Sequence, residues 1–223
     1  MFGRRRRDQP VALVDAESAA AEAFRILRTN MQLRTGGCPA PRSILITSAG
    51  WGEGKTTTTG NLALVYSQAG SRVLAIDANL RRPALHRMLV AEMPGKGLTT
   101  VLTYEDSLER AVLAGPWEGL HILPAGPTHQ SPTDLLDAKS TQRLLEAALE
   151  QYDMVLIDSA PVLGLADTLA LGYRTDGVLM AVRSGASTLP RVKQARDSLT
   201  SVGARVLGVV LDGLKPAHDA ASR

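Results

Sequence analysis

The chain has 223 residues, a length that suits one or two domains at roughly 150 residues each; 44% of it is hydrophobic but only 4% aromatic, so the core is aliphatic. The formal net charge is +3, with four arginines clustered at Arg4 to Arg7, and the near-neutral body gives no clustered basic face, so no nucleic-acid partner is expected. The one cysteine, Cys38, excludes an internal disulfide and suits a reducing compartment, and no stretch approaches the run of about 18 apolar residues that a membrane span needs.

In chain order, residues 1–14 read as a solvated basic tail. No apolar run follows the arginines, so this is not read as a secretory signal. Weak attraction to anionic lipid, about 1 kcal/mol per basic residue, is the sharper alternative. Asp15 to Arg34 reads as a helix, with Phe24, Leu27 and Met31 as an i, i+3, i+7 apolar stripe and Asp15 or Ser18 as its cap. Glu22, Arg25 and Arg28 recur on it at three-residue steps, within an arc of about 120°. Residues 35–42, with two glycines and two prolines, form a linker. The remaining body alternates strand and helix patterns. That predicts a single α/β domain over 15–213, a doubly wound, mostly parallel sheet with helices on both faces and an additional N-terminal helix. Strands are expected at 43–47, 72–76, 120–123, 153–157, 177–182 and 206–211. Helices are expected at about 55–69, ended by Gly70, and at 83–90, 95–102, 107–113, from Ser131, from a Ser140 cap to 151, at 165–173 and at 189–202. Residues 214–223 read as a tail.

The first strand runs into Ser48-Ala49-Gly50-Trp51-Gly52-Glu53-Gly54-Lys55-Thr56-Thr57. Alternate glycines let backbone N–H groups converge on one point, and the helix that follows adds free N–H groups and a partial positive charge. Lys55 supplies a full charge for the outer phosphates, and the Thr56 hydroxyl can ligate Mg²⁺. The pattern is G-x-x-x-x-G-K-[ST] with Ala49 in place of the first glycine. Strand before and helix after is the context that the motif requires, so Gly50 to Thr57 are expected to bind a nucleoside triphosphate.

Two aspartates end equivalent apolar runs, Asp77 after Val73 to Ile76 and Asp158 after Met154 to Ile157. Continuous apolar runs suit strands buried on both faces, and ligands of open α/β sheets bind outside the carboxyl ends of strands. Carboxylates beside a triphosphate require a cation between them, so Mg²⁺ is expected. Either aspartate alone would be an ordinary strand-end residue.

With Asp77-Ala78-Asn79-Leu80-Arg81 and Asp158-Ser159-Ala160-Pro161 beside the Ala49–Thr56 loop, the sequence resembles the bacterial tyrosine kinases of capsule and exopolysaccharide assembly. The resemblance extends to Glu22, Arg25 and Arg28, similar to that family's Glu-x-x-Arg-x-x-Arg assembly motif, to Ser131 through Leu136 and to Val182 through Thr188. It implies an ATP- and Mg²⁺-dependent protein-tyrosine kinase. Lys55 would polarise the phosphates, Thr56, Asp77, Asn79 and Asp158 would serve the metal, Asp77 would accept the tyrosine proton, and Arg81 would steady Asp77 or a phosphate. It also implies a ring-like homo-oligomer with Glu22, Arg25 and Arg28 at the contact, protein substrates, and a cytoplasmic chain recruited to the inner membrane face by a transmembrane polysaccharide co-polymerase. Four departures stand out. Asn79 replaces the family's second acidic residue. Residues 214–223 carry no tyrosine, where the family places its acceptor cluster. Asp212 stands where related ATPases often use Asn for the base. Trp51 occupies a place often held by Pro. Two alternatives remain: a non-catalytic nucleotide-binding scaffold of the same machinery, and a partition- or septum-positioning ATPase, although the extra lysine of those proteins is Gly50 here.

Overall fold

The computed structural model describes residues 17–33, 39–90, 95–137 and 139–214. The basic run, Asp15, Cys38 and all of the expected 214–223 tail but Leu214 lie outside these. Helix α1 is Ala19–Leu33, and Ser18 caps it by accepting the Ala21 N–H at 3.1 Å. Strand β1 (Ser43–Ser48) leads into α2 (Lys55–Gln68), then β2 (Val73–Asp77). Short helices α3 (Leu85–Leu89), α4 (Leu98–Leu102) and α5 (Leu108–Ala111) precede β3 (Leu113–Ala114) and β4 (Leu120–Leu123). There follow α6 (Pro132–Asp137), α7 (Lys139–Gln151), β5 (Met154–Asp158), α8 (Ala166–Arg174), β6 (Gly177–Arg183), α9 (Leu189–Ser201) and β7 (Val206–Asp212).

The strands form one sheet in the order β3-β4-β2-β5-β1-β6-β7. Every pairing is parallel except β3 with β4. Side chains alternate across a strand, and the apolar residues sort accordingly. Leu45, Leu74, Ile76, Val155 and Ile157 join one buried cluster with residues of α4 to α9. Ile44, Ile46, Val73, Ala75 and Leu156 join a second cluster with α1, α2 and α3. Both faces of the central strands are therefore covered, as their unbroken apolar runs require.

Some expected boundaries need correction. Leu113 belongs to the edge strand β3, not to a helix: the chain turns at Gly115, whose N–H donates to Leu120 O at 2.7 Å. Ser140 lies in the first turn of α7, which already begins at Lys139, so it is not the cap. The 83–90 and 95–102 helices shorten to α3 and α4 because Pro83 and Gly97 precede them in non-helical backbone. Gly70 closes α2 as expected, at φ 87°, with the Ser71 N–H reaching back to Tyr66 O.

Candidate functional site

Strand β1 delivers the glycine-rich loop to the C-terminal edge of the sheet, between β5 and β6. Gly52 and Gly54 take φ of 74° and 94°, the left-handed region where a Cβ is unfavourable. Gly54 has a second constraint: a Cβ there would lie 2.5 Å from Asp212 Oδ2, so Asp212, ending β7, closes directly on the loop. The departure at Ala49 is accommodated because its methyl packs inside a core cluster, at 1% exposure. No neighbour approaches a Cβ at Gly50 closer than 3.5 Å, so a side chain at that place is simply missing rather than forbidden.

The loop is braced from within and from the end of the neighbouring strand β6. Glu53 is buried; its Oε2 accepts the Gly50 N–H at 2.8 Å and its Oε1 accepts the Ser187 hydroxyl at 2.7 Å. Arg183, ending β6, donates to Gly52 O at 3.0 Å. Lys55 is buried and folds along the loop, donating to Ser48 Oγ at 2.9 Å and to Gly50 O at 3.2 Å. Burial holds its ammonium pKa down, while Asp158 and Glu53 push it up. Trp51 is half exposed at the loop tip, with the Arg82 guanidinium 4.5 Å and Lys55 Nζ 5.6 Å from its ring centroid.

Asp77 and Asp158 are directly paired across the β2–β5 ladder, and both are fully buried. The Thr56 hydroxyl donates to Asp158 Oδ2 at 2.6 Å. Asp77 Oδ2 accepts the N–H groups of Ala84 and Leu85, both at 3.0 Å, at the start of α3. The remaining oxygens, Asp77 Oδ1 and Asp158 Oδ1, have no hydrogen-bond partner. Burial, and then the charge of Asp77, raises the Asp158 carboxyl far above its ordinary range, to about 8. Buried carboxylates left unpaired are costly, so this oxygen set fits a hard cation. Among the described residues no three acidic or imidazole side chains gather as a complete metal cage. Two carboxylates and a hydroxyl suit Mg²⁺, which takes one or two carboxylates and completes its shell with water and phosphate.

Two expected placements differ. Arg81 does not reach Asp77. Its Nε donates to Asp167 Oδ2 at 3.0 Å and its Nη2 to Thr133 Oγ1 at 3.0 Å, while Thr133 donates to Asp167 Oδ1 at 2.9 Å. Arg81 lies in the tight turn closed by Arg82 N–H on Asn79 O, and its guanidinium is engaged by Asp167 and Thr133 instead. Arg28 is committed within its own chain, donating to Val65 O of α2 at 2.8 Å. Glu22 and Arg25 form a 3.0 Å pair at the surface. Asn79 Oδ1 accepts the Arg82 N–H at 3.3 Å. Asp167 and His86, the latter with Nδ1 3.8 Å from Asp77 Oδ2, fall outside every motif, because nothing in their spacing ties them to the loop; Thr133 and Ser187 fall within the stretches 131–136 and 182–188, but without an individual role.

A cavity of about 600 Å³ opens between α1, the first turn of α2 and the end of β7. Ala20, Phe24, Thr57, Leu211, Asp212 and Leu214 are among its walls. This is within the usual range of small-molecule pockets.

A phosphate-binding loop at the carboxyl edge of a parallel sheet, with paired acidic strand ends beside it, defines a P-loop nucleotide-binding domain. Consistent with this, residues 42–210 match the family model described as an AAA domain. A tyrosine-protein kinase of Bacillus subtilis, YwqD, is 36% identical over 96% of this chain and 89% of its own. The kinase domain of the Escherichia coli tyrosine kinase ETK superposes with a TM-score of 0.86 at 29% identity, covering 96% of this chain and 83% of that one. The septum site-determining protein MinD of Pyrococcus horikoshii, solved with Mg-ADP, aligns with a TM-score of 0.66 at 26% identity, over 76% of this chain and 69% of that one. The chain belongs to the bacterial tyrosine-protein kinase family, within the P-loop AAA class.

Proposed function

We propose that this chain is a Mg²⁺- and ATP-dependent protein-tyrosine kinase acting in capsule or exopolysaccharide assembly. The observation that carries this reading is the pair of unpartnered oxygens, Asp77 Oδ1 and Asp158 Oδ1, buried on adjacent strand ends beside Thr56. Mg²⁺, when bound, would neutralise charge on the phosphates. Thr56 and Asp158 would hold it, with Asp77 and Asn79 serving it through water. The N–H groups of the Gly50–Thr57 loop other than that of Gly50, which Glu53 already holds, bind the phosphates, with Gly50, Trp51, Gly52, Glu53 and Gly54 shaping the loop. Lys55 exchanges Ser48 and Gly50 for the outer phosphates. The base enters the cavity beside Thr57, where Asp212 accepts from the adenine amino group. Asp77 receives the tyrosine proton on Oδ1, while the α3 N–H groups fix its other oxygen and so its orientation. Arg81 acts indirectly, by anchoring the 79–82 turn to Asp167.

The exposed Glu22–Arg25 pair is the candidate contact of a homo-oligomer, and a transmembrane polysaccharide co-polymerase is the candidate adaptor that brings the chain to the inner membrane face. Among the described residues, no helix is long and apolar enough to cross a membrane. Radiolabelled ATP, Mg²⁺ and a Glu/Tyr copolymer, with and without the adaptor's cytoplasmic segment, test the activity. Label on tyrosine is expected, and its absence in both arms excludes a kinase.

Asn79 supports a second reading, a nucleotide-binding scaffold, because its side-chain oxygen is turned into its own loop and carries no charge. Calorimetric ATP binding without transfer, with transfer gained only in Asn79→Asp, would favour the scaffold.

A further inference from the structure

The chain has four tyrosines. Tyr66 and Tyr152 are buried, at 2% and 9% exposure, whereas Tyr104 and Tyr173 stand at 69% and 67%. Tyr173 is part of α8, and its ring lies against the Gly203 turn, 3.8 Å from where a Cβ would stand. Tyr104 is different. It follows the C-cap of α4 with φ 61°, the left-handed conformation, and no other non-glycine among the described residues has a positive φ. The N–H groups of Glu105 and Asp106 both turn back to Thr100 O, at 2.9 and 3.1 Å. Glycine ordinarily takes such a position, and a side chain there costs about 1 kcal/mol. Packing does not offset that cost, since the ring is exposed. What the conformation achieves is to project the phenol over α7, where Arg143 Nη1 donates to its hydroxyl at 3.1 Å.

We propose that Tyr104 is a phosphoacceptor of this chain and that Arg143 is the cation that receives its phosphate; the proposal rests on the kinase reading above. The bond between the γ-phosphorus and the β,γ-bridging oxygen of ATP breaks, and a bond from that phosphorus to Tyr104 Oη forms. The phenolic proton passes to Asp77 of the catalysing copy, and ADP leaves. The catalysing copy is a second molecule. Helix α4 precedes β4 in the chain and is tied to the two residues that follow that strand, through Leu98 N–H on Pro124 O and Thr99 N–H on Ala125 O. Strand β4 is three strands from β1 and its loop, about 14 Å at the usual strand spacing. The phosphate, with a charge of about −1.5 to −2, then gains charge-assisted bonds from Arg143. Of the two acidic residues that follow, Asp106 is already paired with Lys96, which limits repulsion.

The test is phosphotyrosine mapping by mass spectrometry on the purified chain after incubation with Mg-ATP and a Glu/Tyr copolymer, in the wild type, Tyr104→Phe and Tyr173→Phe. Phosphate is expected on Tyr104. Tyr104→Phe should lose most self-incorporated phosphate yet still phosphorylate the copolymer, and Tyr173→Phe should keep its self-label. Self-phosphorylation confined to other residues overturns the proposal, as does copolymer phosphorylation with no self-label. Absence of phosphate from both the copolymer and the chain removes the kinase reading, and this proposal with it.

Discussion

Asp158 is ionised at a cost. A carboxyl ordinarily titrates near 4, and burial beside Asp77 raises this one to about 8. The folded state therefore binds the Asp158 proton more tightly than the unfolded chain does. The sign follows: this group's stabilisation is complete below about pH 4 and is lost as the pH rises through the raised value. Without metal or nucleotide, Asp158→Asn should thus melt higher than wild type at pH 8, by several degrees at about 2–4 °C per kcal/mol for a chain of this size, and the gain should shrink towards pH 5. The same variant should lose phosphoryl transfer, the usual opposition between a stable site and a working one. Calorimetric melts at both pH values check the first outcome and labelled ATP the second; an unchanged melting point at pH 8 would contradict it. Gly54→Ala carries two penalties, a left-handed backbone and a clash with Asp212. It should cost about 1–2 kcal/mol from the backbone alone and abolish saturable nucleotide binding in calorimetry. Asn79→Asp should tighten Mg²⁺ dependence, read as a lower Mg²⁺ concentration for half-maximal transfer.

At the scale of elements, the loop after β1 is held by its neighbours as much as by its own glycines. Glu53 is anchored by Ser187 between β6 and α9, and Gly52 by Arg183. Ser187→Ala leaves a buried carboxylate oxygen with one partner fewer and should cost about 1 kcal/mol, with weaker nucleotide binding in the same titration. The Arg81–Asp167–Thr133 cluster joins the 79–82 turn to α6 and α8. Arg81 is a third exposed whereas Asp167 is buried. Arg81→Ala should therefore cost about 1–2 kcal/mol, below the 3–5 of a fully buried pair, and should lower kcat more than it raises KM. Chemical denaturation and steady-state kinetics read these two effects. Neither brace was legible in the sequence. Lys55, Thr56, Asp77 and Asp158 could be read because strand-then-ligand is a local pattern, with each residue's position fixed by the strand before it. Arg81 pointed elsewhere because its partner is 86 residues away, and only the sheet order brings the two together. Edge strand β3, two residues long, carries too little period to be recognised.

At the scale of the whole molecule, the sequence's continuous apolar runs were enough to anticipate a parallel sheet covered on both faces, because burial on both faces leaves no polar alternation to read. Strand order was not legible, since parallel neighbours need not be consecutive. Helix α1 illustrates the boundary. Its apolar stripe of Phe24, Leu27 and Met31 packs on the α2 side as expected, yet Arg28, one residue beyond that stripe, turns out to serve the same internal contact. What remains for assembly is the Glu22–Arg25 pair, so Glu22→Lys should shift any oligomer towards smaller species in size-exclusion chromatography with light scattering, without lowering the melting point by more than about 2–4 °C.

The stack of Arg82 on Trp51 also has an optical consequence. Both tryptophans are only half covered, Trp51 at 43% exposure and Trp117 at 44%, and neither belongs to the aliphatic core. Indole emission from this protein therefore reports on its periphery, and with Trp117→Phe it reports on the phosphate loop alone. Filling that loop with phosphate competes for the Arg82 charge now resting on the ring. Emission should change as nucleotide saturates, long before heat or denaturant disturbs the silent interior.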